Sequence, residues 1–214
     1  MPHRMGGKHY PAVRSSAILP GMDENHCLPR SPELMSAADT GLLVVDMQEK
    51  LVRAVADGQR IVLSVRRLIE GAEILNLPVI ATQQDPQGLG PTVPELARRL
   101  GEPPSKLTFS CGGCPGIFQN LESRGLHKLL VCGVEAHVSV QQTVLDLLAG
   151  GWRVYVAVDA VGSRFEIDCR TALGRMDSAG ATLTTTEAAL FEWCRVAGTP
   201  EFQQISRLAQ QAGP

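Results

Sequence analysis

From residue 40 onward, short apolar runs alternate with longer stretches whose apolar residues recur at helical spacing. Residues 41–45 form a continuous apolar run closed by Asp46. Over 59–75, Ile61, Val62, Val65, Leu68, Ile69, Ala72 and Leu75 share one helical face, because side chains three and four apart are surface neighbours. The same alternation predicts strands over 78–82, 106–110, 128–132, 153–158 and 182–186. It predicts helices over 95–100, 116–123, 139–149, 166–179 and 187–196, with a short terminal helix over 201–211. Gly150, Gly151 and Gly180 punctuate two of these helices. Runs apolar on both faces belong to a parallel sheet covered by helices on each side. The expected fold is α/β, a three-layer α/β/α sandwich with right-handed crossovers. No Gly-x-Gly-x-x-Gly and no Walker A sequence is present, so nucleotide binding has no positive signal.

Composition narrows the function. A chain of 214 residues, 44% hydrophobic and 20% charged, fits one large soluble domain. A net charge of −2 and 4% aromatic residues argue against nucleic acid or an anionic membrane as partner. No apolar run reaches the roughly 18–20 residues that a membrane-spanning helix needs. Six cysteines in a chain this long suit free thiols in a reducing cytoplasm better than a disulfide framework. Residues 1–35 read as a tail, expected to be disordered, and 36–214 as the folded domain. The start holds Arg4, Lys8 and Arg14 without an acid, but Pro2, Gly6, Gly7 and Pro11 oppose a transit-peptide helix.

Several residues could carry chemistry, each with an ordinary alternative. Asp46 ends the first strand, where ligands of open α/β sheets bind; with Glu49 it also makes a capping-box pattern. Lys106 could hold a neighbouring carboxylate ionised or steady an oxyanion, but most lysines are surface charges. Ser139 lies where a strand turns into a helix, and with Gln142 it too fits a capping box. Gln84, Glu135, Ala136 and His137 are the expected substrate-contact positions. Gln84 opens a glycine-rich loop able to close over a pocket, and the other three lie in the turn before Ser139. The plainer reading of His137 is a hydrogen-bonded turn residue. Asp159 is expected to cap the 163–166 region. Cys111 and Cys114 form Cys-Gly-Gly-Cys ahead of a helix, a spacing open to redox chemistry. No second Cys-x-x-Cys completes a zinc site.

Five stretches in combination resemble the isochorismatase-like hydrolases, closest to their isochorismatase-domain-containing branch. They are LLVVDMQEKLV (42–52), PQGLGPTVPEL (86–96), KLTFS (106–110), VCGVEAHVSVQQTVLDLL (131–148) and VDAVGSR (158–164). The resemblance implies a six-stranded, mostly parallel, Rossmann-like sheet and a homo-oligomer. It implies a catalytic trio at Asp46, Lys106 and Ser139, the last standing where most of the family carries a nucleophilic cysteine. It also implies a non-proline cis peptide near 134–136. The branch of the family that binds a metal uses histidines after the second strand; here that region is Ala-Thr-Gln-Gln-Asp-Pro (81–86), so neither metal nor cofactor is expected.

Serine in place of cysteine divides the expected functions. A cysteine thiol ionises near pH 8.5 and can be brought to neutrality by a helix N-terminus and a lysine, whereas a hydroxyl cannot. The first reading is a hydrolase of a small amide, carbamoyl or vinyl-ether metabolite, with Asp46 as acid–base and Ser139 as weak nucleophile or water-positioning group. The alternative is a pseudoenzyme that binds a small molecule or serves as a scaffold. A third is a role for the Cys111–Cys114 pair.

Overall fold

The computed structural model describes residues 28–211. The first unit spans Met1–Pro32, and of it only 28–32 are described. The larger unit begins at Glu33. The expectation of a disordered tail over 1–35 lies mostly outside the described residues, but Met35 is fully buried in the core.

Five strands form one parallel sheet: β1 (Thr40–Val45), β2 (Val79–Ala81), β5 (Lys128–Val134), β6 (Arg153–Gly162) and β7 (Thr182–Thr184), in the order β2-β1-β5-β6-β7. Two short strands, β3 (Gln83–Gln84) and β4 (Ser105–Lys106), pair with each other in a separate parallel ladder. The layered parallel architecture is as expected. The strand count differs, because the chain after Lys106 does not stay extended. It turns so that the carbonyls of Thr108 and Phe109 reach the Lys106 ammonium, 3.3 and 2.8 Å away.

Side chains that alternate along β1 divide the core. Leu42 and Val44 pack under α2 (Gly58–Ile74), α8 (Thr186–Cys194) and α9 (Pro200–Ala209). Leu43 and Val45 pack under α5 (Pro115–Ser123), α6 (Gln141–Ala149) and α7 (Glu166–Ser178). Each such side chain withdrawn from water contributes about 1.5–3 kcal/mol before entropy is counted. Asn76, in the left-handed region at φ 58°, ends α2 where a helix would otherwise run into β2. At the sheet's amino edge, Lys128 Nζ donates to Leu34 O and Asp39 Oδ2, and Tyr155 Oη donates to Glu33 O. Asp159 does not cap the 163–166 region as expected. Its Oδ1 accepts from Thr186 N, at the start of α8.

The strand order is that of a doubly wound sheet whose direction of winding reverses between β1 and β5. A crevice opens at such a switch point, outside the carboxyl ends of the strands. β1 delivers Asp46 to that edge and β5 delivers the turn before Ser139, with Val45 paired directly to Gly133.

Candidate active site

Asp46 takes the first position beyond β1, with φ 48°, a region that aspartate tolerates better than most residues. Its carboxylate is wholly buried. Oδ1 accepts from Thr82 Oγ1 at 2.9 Å, and Oδ2 from Lys106 Nζ at 2.7 Å. The capping reading of Asp46 fails. The residue ahead of α1 (Glu49–Ala54) is Gln48, and no side chain caps that helix. The aspartate instead uses its oxygens on the partners that offset its burial.

Lys106 is likewise buried, which contradicts the surface-charge reading. Its ammonium lies within hydrogen-bonding reach of four acceptors: Asp46 Oδ2, Gln84 Oε1, Thr108 O and Phe109 O. An ammonium has three protons, so a substrate oxygen could gain one only by displacing a protein acceptor. Lys106 therefore acts as a fixed counter-charge and as the post around which 106–109 winds. Both ends of the Gln84 amide are engaged as well: Oε1 with Lys106, and Nε2 with Leu107 O at 2.9 Å. Gln48, fully buried, holds the next layer. Its Oε1 accepts from Gln84 N, and its Nε2 donates to Gln84 O and Gly90 O. That last bond ties down the glycine-rich loop, which contains a short helix, α3 (Pro86–Leu89).

The turn after β5 holds the other expected residues. The Val134–Glu135 peptide is cis, within the expected stretch. Ala136–Val140 then forms one wide π-helical turn leading into α6. Ser139 sits inside this turn and is 4% exposed. The capping reading fails here also, since no side-chain cap bond precedes α6. Ala136 is fully buried. Glu135 Oε1 accepts from Arg164 N and Arg164 Nε, both at 3.0 Å, which fixes the turn to the start of α7. His137 Nδ1 lies 2.9 Å from Ser163 Oγ. The structure thus joins Asp46, Lys106 and Gln84 in one hydrogen-bonded cluster. It places Ser139 at the same sheet edge, but no hydrogen bond connects its hydroxyl to Asp46 or Lys106.

One residue in this cluster, Thr82, escaped the sequence reading, and another, Cys111, was read only as half of a loop thiol pair. Thr82 orients Asp46, and the only sign of it was a polar residue just beyond the second apolar strand. Cys111, wholly buried, has its thiol 3.4 Å from Thr82 Oγ1, and its N–H donates to Thr143 Oγ1. Burial pushes the Cys111 thiol above its ordinary range, outweighing hydrogen bonds with Thr143 and Thr82; Asp46 adds to the rise and Lys106 opposes it. Cys114 is also raised by burial, but is partly accessible. Both are free thiols. Iodoacetamide should therefore modify Cys114 in the native protein while Cys111 reacts at roughly a tenth of that rate or less. Peptide mapping that finds Cys111 modified first would mean that its burial is wrong.

Among the described residues, no group of three or more His, Cys, Asp or Glu side chains is arranged to hold a metal ion. A family model described as the isochorismatase domain matches residues 40–188. The chain belongs to the isochorismatase family. It is 41% identical to human isochorismatase domain-containing protein 2 over 174 residues, covering 81% of this chain and 84% of the human one. The structure is similar to that of MAR1 ribonuclease from Caenorhabditis elegans, with a TM-score of 0.78 and 37% identity over 85% of this chain and 94% of that one. It is also similar to the Escherichia coli YcaC product, described as an octameric hydrolase of unknown specificity. That match has a TM-score of 0.76 and 26% identity, over 85% of this chain and 93% of the other. The isochorismatase-like α/β sandwich expected from the motifs is the fold of this chain. Among the described residues no helix is long and apolar enough to cross a membrane.

Proposed function

We propose that this isochorismatase-family chain hydrolyses a small amide, carbamoyl or vinyl-ether metabolite at the crevice between β1 and β5. The observation that carries the reading is the buried Asp46–Lys106 pair at that crevice. A carboxylate so enclosed serves one purpose well, which is to exchange a proton where bulk water cannot. Lys106 keeps its charge balanced, and Thr82 fixes the plane of the carboxylate. Each carboxylate oxygen retains a lone pair for a substrate or water proton. Ser139 acts as a weak nucleophile or positions water, and Gln84, Glu135, Ala136 and His137 shape the surroundings. For a vinyl ether, Asp46 protonates the substrate, and no covalent intermediate is needed.

A hydrolysis panel of small amides, carbamoyl compounds and isochorismate tests this reading. Asp46→Asn should lower turnover of any active compound by about 10²–10⁴-fold, the usual contribution of a general acid or base. Full turnover by that variant would sink the proposal. A second reading, a binding protein that has given up covalent catalysis, is favoured by the missing bond between Ser139 and Asp46. It predicts turnover by Ser139→Cys and none by the natural chain.

The same proposal includes a homo-oligomer in a reducing cytoplasm. The E. coli relative is described as octameric. Leu107 and Phe109, beside the Lys106 post, are 83% and 52% exposed, and Phe165 and Ile167 are 63% and 57% exposed, apolar side chains that a second copy could cover.

A further inference from the structure

A second constellation lies one strand along the same sheet edge. Ser163 follows β6 directly and precedes α7, so it occupies a strand–turn–helix junction at the carboxyl end of a parallel strand. Its Oγ is 2.9 Å from His137 Nδ1. On the far side of the imidazole, Nε2 is 4.0 Å from Asp168 Oδ2. The tautomer sets the direction of the Ser163–His137 bond, since 4.0 Å is too long for a hydrogen bond from Nε2 to Asp168. A proton on Nε2 faces Asp168 favourably, which leaves Nδ1 to accept from the Ser163 hydroxyl; the other tautomer would set a lone pair against a carboxylate. The three side chains thus stand in the order hydroxyl, imidazole, carboxylate.

The serine is held in place and faces a cleft. Arg164, its neighbour, is pinned through both N and Nε to Glu135 Oε1. Ser163 lines a cleft of about 340 Å³, with Val55, Ile61, Val158 and Val161 as apolar wall and Arg164 at hand. The first turn of α7 opens on the same cleft at Glu166. The N-terminus of α7 contributes positive potential there, offset by Glu166 and Asp168 in its first turn, while the Arg164 guanidinium is paired with Glu135.

We propose that Ser163, His137 and Asp168 form a second, serine-hydrolase-type site that accepts short-chain carboxylic esters. Ser163 Oγ attacks the ester carbonyl carbon as its proton passes to His137 Nδ1. The tetrahedral intermediate collapses with cleavage of the acyl–alkoxy bond, and the leaving alkoxide takes the proton from His137. Water, deprotonated by the same nitrogen, then releases the acid from acyl-Ser163 and restores the hydroxyl. The imidazolium that forms at each step lies beside Asp168. The acyl chain rests against Val55, Ile61, Val158 and Val161.

The experiment uses an alkyl fluorophosphonate, on which Ser163 forms a P–O bond as fluoride leaves. Intact mass and peptide mapping of the wild-type protein come first. One equivalent of label on Ser163 is expected. Ser163→Ala should remove that label and lower p-nitrophenyl butyrate hydrolysis at least tenfold. His137→Asn, whose amide can still bond the serine but is no base, should slow labelling about 100-fold. No label in the wild type, a label on Ser139, or unchanged labelling in His137→Asn would each overturn the assignment. None of these readouts uses Asp46 as acid or base, so failure here leaves the hydrolase reading at Asp46 standing, and a label on Ser139 supports it.

Discussion

Lys106→Met should lower the free energy of unfolding by about 3–5 kcal/mol, the usual result of removing one partner of a buried ion pair. For a chain of this length that corresponds to a melting temperature roughly 10 °C lower. The expectation rests on what the ammonium leaves behind. Asp46 Oδ2, Gln84 Oε1, Thr108 O and Phe109 O all lie within hydrogen-bonding reach of the same nitrogen. A thioether satisfies none of them, and a buried acceptor without a donor costs about 1–3 kcal/mol, more for a carboxylate. Adding Asp46→Asn to Lys106→Met removes the uncompensated charge and should recover about half of the loss while leaving the protein inactive. Urea unfolding of the wild type, Lys106→Met and the double variant checks both statements. A single variant as stable as the wild type would mean that this pair is not enclosed.

Gly133→Ala should yield no soluble folded protein. Gly133 has φ 122°, a conformation that side-chain-bearing residues rarely adopt. An added Cβ would fall on the Val45 carbonyl oxygen and lie 2.7 and 2.8 Å from Val45 N and C. These are backbone atoms of the strand to which Gly133 is paired, so no side chain can rotate away. Relief would require parting β1 from β5, the two strands that carry the candidate site. A penalty beyond 4–5 kcal/mol is exceptional for a point mutation, and here it is comparable with the whole stability of an ordinary domain. Gly174→Ala is the control. Inside α7, with nothing within 4 Å of the added methyl, it should stabilise by about 0.5–1 kcal/mol. Soluble expression and unfolding midpoints separate the two. A folded Gly133→Ala protein of near-normal stability would refute the close approach.

Apolar runs such as 41–45 and 128–132 made the parallel sheet legible, because a strand buried on both faces leaves no polar alternation to misread. Asp46 could be placed at the crevice for the same reason. What could not be read was the direction in which polar side chains turn. Asp46 with Glu49 and Ser139 with Gln142 both matched a capping pattern, and neither caps a helix. Local spacing says nothing of a lysine sixty residues away that binds the carboxylate first. The sixth strand was overread for a related reason. KLTFS alternates like a strand, but the demand of a buried ammonium for carbonyl oxygens overrides that local preference. Cys111 was read as a loop thiol, and only folding brings it against Thr82.

The small β3–β4 ladder has a consequence in time rather than in space. It shares no strand pairing with the main sheet. The chain runs into it from β2 through Thr82, whose backbone bonds Val44 and Asp46, and beyond that it is tied there by the Lys106–Asp46 contact and by Gln48. Segments held by a few polar links open more often than the strands they lean on, and at lower cost than global unfolding. Opening of this ladder would draw Lys106 away and uncover Asp46 in the same movement. The rate at which Asp46 meets water would then be set by the breathing of two short strands, and the bond between Lys106 and the carboxylate would also be the latch on its door.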